Sequence, residues 1–341
     1  NMGSTSPVVF ESKNYYRERR FREIEGLSRT NPLLLLQRLS QSQGGQKTFS
    51  DADIAYHLKR DKSDAHRFMM NMPVLGFVEY SVQKREGIIK DKVFEYILNA
   101  KGLRDYDVIQ FVSRLEQGSK AKLSLEDYSM EVEGIKSIAL SDSQRVGLFP
   151  YGEKIIIHEN LNFDFSGQIT AGRFNFWGNE FKFNYEQFRI AMTDIDSMRF
   201  KVVSFEPNSL GQRYLVDVKT VLQDLTGDLQ IDKPNNKSGK NYYSEYPIFN
   251  SAKNSYIYYD KPSIFDGVYN REEFFVTLEP FEIDSLDNTS TTGLSFDGVF
   301  TSAGIFADMA ERIKVQEDYS LGFKRETPSE GLAAYGGKGT F

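Results

Sequence analysis

Between residues 161 and 185 an apolar side chain returns at every second position: Phe163, Phe165 and Ile169, then Phe174 and Phe176, then Phe181, Phe183 and Tyr185. A period of two sends alternate side chains to opposite sides of the backbone, so each run is a strand with one face to bury and one in water. Half-apolar strands of this kind build antiparallel rather than fully covered parallel sheets. The same period predicts strands over 124–132, 135–140, 199–205, 213–221, 228–232, 256–259, 273–278, 294–301 and 320–323. Only 307–315 reads as a short helix in this part of the chain. With 27 Phe and 19 Tyr against one Trp, the composition fits strands with aromatic faces.

Glycine punctuates these strands. Residues 163–174 and 294–306 share an order of aromatic, Gly, apolar residue, Thr, Ala-Gly and aromatic, and 225–231 carries a weaker copy of the strand part. A mid-strand Gly lets a neighbouring backbone approach closely, which suits layered, repeated β structure.

The front third has a different grammar. Residues 11–26 are charged and helix-forming up to Gly26. Asn31-Pro32 is a cap followed by proline in the first turn, opening a helix that turns Leu33, Leu36 and Leu39 inward. Ser50 caps a helix over 51–58 whose first turn carries Asp51 and Asp53, as the helix dipole favours. A further helix over 63–72 stops at Pro73. Strands over 74–80 and 88–94 flank a charged turn, and 91–99 and 105–115 return to helical character. Helices followed by a hairpin give the order of a winged helix. The fold class expected is therefore α+β and multidomain: a helical, winged-helix-like module with a β-hairpin over 1–118, then an all-β antiparallel domain over 119–341, either a sandwich or an elongated layered structure. Charge supports a division, since residues 1–118 hold 19 basic and 15 acidic side chains and the remainder 23 and 33.

Several chemistries lack their residues. The absence of Cys excludes disulfides, thiolate metal sites and thiol catalysis. His57, His66 and His158 are scattered and form no His-x-x-x-His pair. There is no Gly-x-Ser-x-Gly elbow, and Gly336-Gly337-Lys338-Gly339-Thr340 lacks the spacing of a phosphate loop. Glu279, Glu282, Asp284, Asp287 and Asn288, like the pairs Asp194/Asp196 and Asp105/Asp107, offer oxygen ligands without a calcium-loop spacing. They read as solvated acidic loops. The weak ligand-binding candidates are two tyrosine clusters, Tyr242, Tyr243 and Tyr246, and Tyr256, Tyr258 and Tyr259, whose flat rings and polar tips suit sugars, peptides or interfaces and equally suit cross-strand packing. No catalytic residue, metal site or cofactor is expected. On the front module, Arg17, Arg19, Arg20 and Arg22 could meet phosphates, but the recognition-type segment 63–72 offers only His66 and Arg67 as long polar groups.

The stretches Leu140-Ser141-Asp142-Ser143-Gln144, Ser166-Gly167-Gln168-Ile169-Thr170-Ala171-Gly172-Arg173-Phe174, Asn236-Lys237-Ser238-Gly239, Tyr246-Pro247-Ile248-Phe249, Asp318-Tyr319-Ser320-Leu321-Gly322-Phe323 and Tyr335-Gly336-Gly337-Lys338-Gly339 resemble very large cell-envelope proteins of the Bacteroidota. More distantly, the layered strands resemble AsmA/TamB-like bridge proteins. The resemblance covers roughly residues 120–341 and carries no site residues. It implies a periplasmic or outer-membrane-associated setting, and the abrupt ends of the sequence suggest a segment of a longer parent. The function expected is thus a non-enzymatic structural or interaction segment. Its partners would be other segments of the parent, other envelope proteins, lipid or glycan, and not nucleic acid. The alternatives are a carbohydrate-binding or carbohydrate-acting surface protein, a lipid-groove bridge protein and a winged-helix nucleic-acid-binding regulator.

Overall fold

The computed structural model describes residues 7–11, 21, 22, 24, 31–70, 72–105, 109–115, 118–158, 161–262, 264–288 and 293–341. Strand outweighs helix, 40% against 16%, so the protein is mostly β. It divides into two compact units. One comprises Asn1–Glu11, Ile109–Lys233 and Gly239–Phe341, the other Ser12–Val108 and Pro234–Ser238. This division differs from the 118/119 boundary that charge and periodicity suggest. Residues 109–118 carry a strand and go with the strand-rich unit, as does strand β1 (Val8–Glu11).

In the smaller unit, helix α1 (Pro32–Ser42) begins where Asn31 accepts a hydrogen bond from the Leu33 amide at 2.9 Å. It buries Leu33, Leu35, Leu36 and Leu39. Strand β2 (Thr48–Ser50) runs directly into α2 (Asp51–Leu58). The Ser50 hydroxyl receives the Asp53 amide while the Asp53 carboxylate receives the Ser50 amide at 2.7 Å, a reciprocal capping box. Helix α3 (Lys62–Met69) starts one residue before the expected position, where Asp61 accepts the Asp64 amide at 2.7 Å and caps it, and ends before the expected Met72. Strands β3 (Val78–Ser81) and β4 (Glu86–Ile89) form a shorter hairpin than expected, and α4 (Asp91–Ala100) follows. Strand β4 pairs with both β2 and β3, giving the order β2–β4–β3. Leu33, Leu36, Ile54, Ala65, Met69, Phe77 and Val93 make the sealed core of this unit. Most of the helix expected over 11–26 lies outside the described residues; Phe21, Arg22 and Ile24 are helical.

The larger unit is an antiparallel meander. Its backbone is β11 (Phe163–Ala171), β12 (Phe174–Asn184), β13 (Arg189–Val203), β15 (Leu222–Gln230), β17 (Ser255–Tyr258), β18 (Phe274–Leu278), β20 (Ser295–Ser302) and β21 (Met309–Val315), each paired with the next. On its far edge β11 pairs with β10 (Lys154–Ile157) along one end and β9 (Val146–Pro150) along the other. Short strands extend this frame: β6 (Ala121–Leu123) on β7 (Met130–Glu133), β8 (Ile138–Ser141) on β9, β14 (Leu215–Asp217) on β13, and β16 (Ile248–Ser251) between β15 and β19 (Glu282–Ile283), while β5 (Gln110–Ser113) pairs with β1 in a separate two-stranded sheet.

Two expected helices are strands. Of 105–115, residues 106–108 lie outside the described residues, and β5 occupies Gln110–Ser113 with Phe111 and Ser113 buried and Gln110 exposed. The charged flanks hid a period of two. In 307–315 the helix-forming Met309-Ala310-Glu311-Arg312 lies along β20, from Phe300↔Met309 to Ser295↔Lys314. The unpaired edge of β20 overrides local propensity there.

The meander rolls around its aromatic side. The rings of Phe176 on β12 and Phe249 on β16 sit 4.8 Å apart, although β13 and β15 lie between them in the pairing order. A flat sheet would separate those strands by about 14 Å, three strand spacings. Phe163, Phe174, Phe176, Phe181, Phe183, Phe200, Phe249 and Phe296 are all at most 1% exposed. Glycine permits the tight pairing. A Cβ on Gly178 would lie 2.1 Å from the Asp194 carbonyl oxygen, and one on Gly227 would lie 2.1 Å from that of Asn250.

Candidate functional site

The alternation of β17 sorts the second tyrosine cluster. Ser255 and Ile257 are buried, so Tyr256 and Tyr258 project from the solvent side. Their rings stack at 5.7 Å with 16° between planes. The Tyr258 hydroxyl donates to Asp224 at 2.9 Å, and Arg271 lies 3.6 Å above the Tyr258 ring while pairing with Asp224 at 3.3 Å and Asp260 at 3.6 Å. Burial, then the hydrogen bond to Asp224, pushes the Tyr258 phenol up to about 12. Tyr259 turns the other way, against Phe274 at 5.6 Å and Phe300 at 6.5 Å, and burial raises its phenol to about 12. Thus two of these three tyrosines share a surface and the third is packing.

The first cluster lies between β15 and β16. Tyr242 is 61% exposed and donates to Asp287 at 3.2 Å; the negative charge of Asp287 raises its phenol. The Lys233 ammonium lies 3.5 Å over the Tyr243 ring and 3.1 Å from Glu245. Tyr246 is half-buried, with its phenol raised by burial, and precedes Pro247 in a cis peptide. Each of these rings is engaged by a neighbouring charge or by the chain, an arrangement that needs no ligand.

Comparison with protein-family models, with curated proteins and with solved structures finds no match to this chain. The chemistry must therefore be read from the side chains alone.

Each histidine has a different partner. His57 Nε2 lies 3.4 Å from the Ser42 hydroxyl, and His158 Nε2 lies 3.1 Å from Asp164. Among the described residues no group of three His, Cys, Asp or Glu side chains could hold a metal ion. In the acidic loop Asp287 serves Tyr242, and Asn288 accepts from Arg173 at 3.5 Å. Asp194 accepts from Asn179 at 3.3 Å, and Asp105 accepts the Ser238 amide at 2.9 Å.

One polar network has no counterpart in the sequence reading. The Tyr80 hydroxyl on β3 donates to Asp51 Oδ1 at 2.6 Å and lies 2.6 Å from His66 Nδ1. Because that hydroxyl's proton points to Asp51, His66 must carry its own proton on Nδ1 to donate in turn. Asp51 is 3% exposed, and its Oδ2 lies 3.3 Å from the same nitrogen without a hydrogen bond. Burial and the bond to Asp51 hold the Tyr80 phenol well above its usual range. The network ties α2, α3 and β3 together. Its members lie 15 and 14 positions apart in the chain, so no local spacing could announce it.

Proposed function

We propose that this chain is a non-enzymatic structural or interaction segment of a large cell-envelope protein, presenting the outer surface of a rolled sheet to its partners. The observation that carries the reading is the division of labour in the sheet. Its inner side is sealed by the chain's own rings, with Phe163, Phe174, Phe176 and Phe181 at 0% exposure. Its tyrosine clusters engage charged neighbours and packing contacts rather than forming an acid–base pair over a cleft. A groove for acyl chains would need apolar lining left open, and these rings fill that side themselves. Among the described residues no helix is long and apolar enough to cross a membrane. The setting in the envelope, the glycine-punctuated repeat and membership of a larger parent rest on the resemblance of residues 120–341 to Bacteroidota envelope proteins.

The smaller unit we read as winged-helix-like. Support comes from its order of α1, β2, α2, α3, β3 and β4, with β4 placed between β2 and β3. A nucleic-acid role draws less support. Of the long polar groups on α3, His66 is tied to Tyr80, leaving Lys62 and Arg67 exposed. Fractionation of the source cells, with an antibody raised against this chain, tests the setting. Recovery with the envelope supports the reading. Recovery in the soluble cytoplasmic fraction together with retention on duplex DNA would replace it with the regulator alternative.

A further inference from the structure

On the solvent side of the rolled sheet, one row of directly opposed residues crosses six strands. Phe149 on β9 opposes Gln168 on β11, which opposes Trp177 on β12. Trp177 opposes Ser197 on β13, Ser197 opposes Gln223 on β15, and Gln223 opposes Tyr256 on β17. Their chain neighbours Leu148, Ile169, Phe176, Met198, Leu222 and Ile257 are all fully buried, which fixes the row as outward-facing. Every member is partly or fully exposed. The row contains three aromatic rings, two amides and a hydroxyl, and no charge, although its flanks carry Asp196, Arg199 and Asp224.

We propose that this row binds an uncharged polysaccharide that follows the curve of the sheet across the strands. Flat rings cover the C–H faces of sugar rings, and amides and hydroxyls exchange hydrogen bonds with sugar hydroxyls. Strands step at about 4.8 Å, close to the advance of one pyranose along an extended glycan. Phe149, Trp177 and Tyr256 fall two and three strands apart in the pairing order, so the rings meet separate portions of one chain. Arg199 stands 5.7 Å from the Trp177 ring centre, whereas Arg271 lies 3.6 Å over Tyr258. An extended peptide would find no free backbone here, since the backbone along the row is paired between strands. A polyanion would find no cation in the row.

This inference rests on the reading of the chain as a non-catalytic interaction segment and names the partner class. The test uses the full chain in native gels cast with mixed-linkage β-glucan, galactomannan or, as a polyanion, alginate. In parallel, the emission of Trp177, the single tryptophan, is followed in solution. The expected result is retardation by at least one uncharged polymer with a saturable change in emission. Trp177→Ala should weaken retardation by roughly tenfold and Gln223→Ala by a smaller factor, while Tyr242→Ala leaves it unchanged. A cooperative melt for each variant confirms folding. No retardation by either uncharged polymer overturns the proposal, as does stronger retardation by alginate, or retardation unaltered in both row variants. Release of reducing ends from a bound polymer would instead refute the non-enzymatic reading while leaving the row as its site.

Discussion

Replacing Gly178 by alanine tests whether the close strand pairing at β12 and β13 is as tight as the geometry shows. The added Cβ would sit 2.1 Å from the Asp194 carbonyl oxygen, 2.9 Å from Ile195 Cα and 3.0 Å from Phe181 Cζ. The first two are backbone atoms of β13 and cannot rotate away, so the strand must move by about 1 Å to restore normal contact. Ile195 and Phe181 are 1% and 0% exposed, so the displacement propagates into a close-packed core. Overpacking of this kind costs about 1–3 kcal/mol, and a strained ladder belongs at the upper end. For a unit of this size about 3 kcal/mol corresponds to roughly 6–12 °C in Tm. The adjacent residue, Trp177, is the only tryptophan, so its emission on heating reports this unit rather than the helical one. Gly339→Ala, at a position with nothing within 4 Å and no positive φ, serves as the neutral control. If Gly178→Ala melts within a degree of Gly339→Ala, the close approach of β12 and β13 at Gly178 is refuted.

Three further outcomes follow from the same geometry. Tyr80→Phe removes the hydroxyl between Asp51 and His66, leaving a buried carboxylate oxygen unsatisfied; a loss of about 1–3 kcal/mol is expected from urea unfolding followed by helical circular dichroism. Asp127, on the β6–β7 turn, is held at about 2 by hydrogen bonds from Ser124 and Ser129. Its folded-state pKa lies below the unfolded one, so its stabilising contribution is present above about pH 4 and fades as pH falls through 2; its carboxyl resonance should titrate near 2 rather than near 4. Tyr258 has its phenol raised to about 12, so its contribution is full below pH 10 and is lost as pH climbs through 12. Asp224→Asn should lower the ultraviolet ionisation midpoint of that tyrosine only part-way toward 10, because burial is the larger cause.

What the sequence made legible was local. Asn31-Pro32 and Ser50 with Asp53 fix helix starts through bonds spanning two or three residues, and both caps form. The alternation through Phe163, Phe165, Phe174 and Phe176 specifies which side is buried without reference to anything distant. The misread segments, 105–115 and 307–315, are those where a partner strand decides the outcome: β1 for the first, β20 for the second. Alternation could also have separated Tyr259 from Tyr256 and Tyr258, since residues 258 and 259 face opposite ways in a strand. The outward row from Phe149 to Tyr256 was out of reach. It depends on the register of six strands drawn from 108 positions of sequence, with three of the pairings shifted by bulges near Gly167, Gly178 and Ile195. The Asp51–Tyr80–His66 network is hidden for the same reason, being assembled only when two helices and a strand meet.

The central claim is that the sheet fills its own aromatic side and meets partners with its outer surface. Native mass spectrometry of the chain purified from an extract of its source cells in mild detergent addresses it directly. The account predicts the mass of the polypeptide alone once detergent is stripped, with a cooperative melt. A stoichiometric phospholipid or fatty acid surviving that treatment, and destabilising the chain when removed, would contradict it.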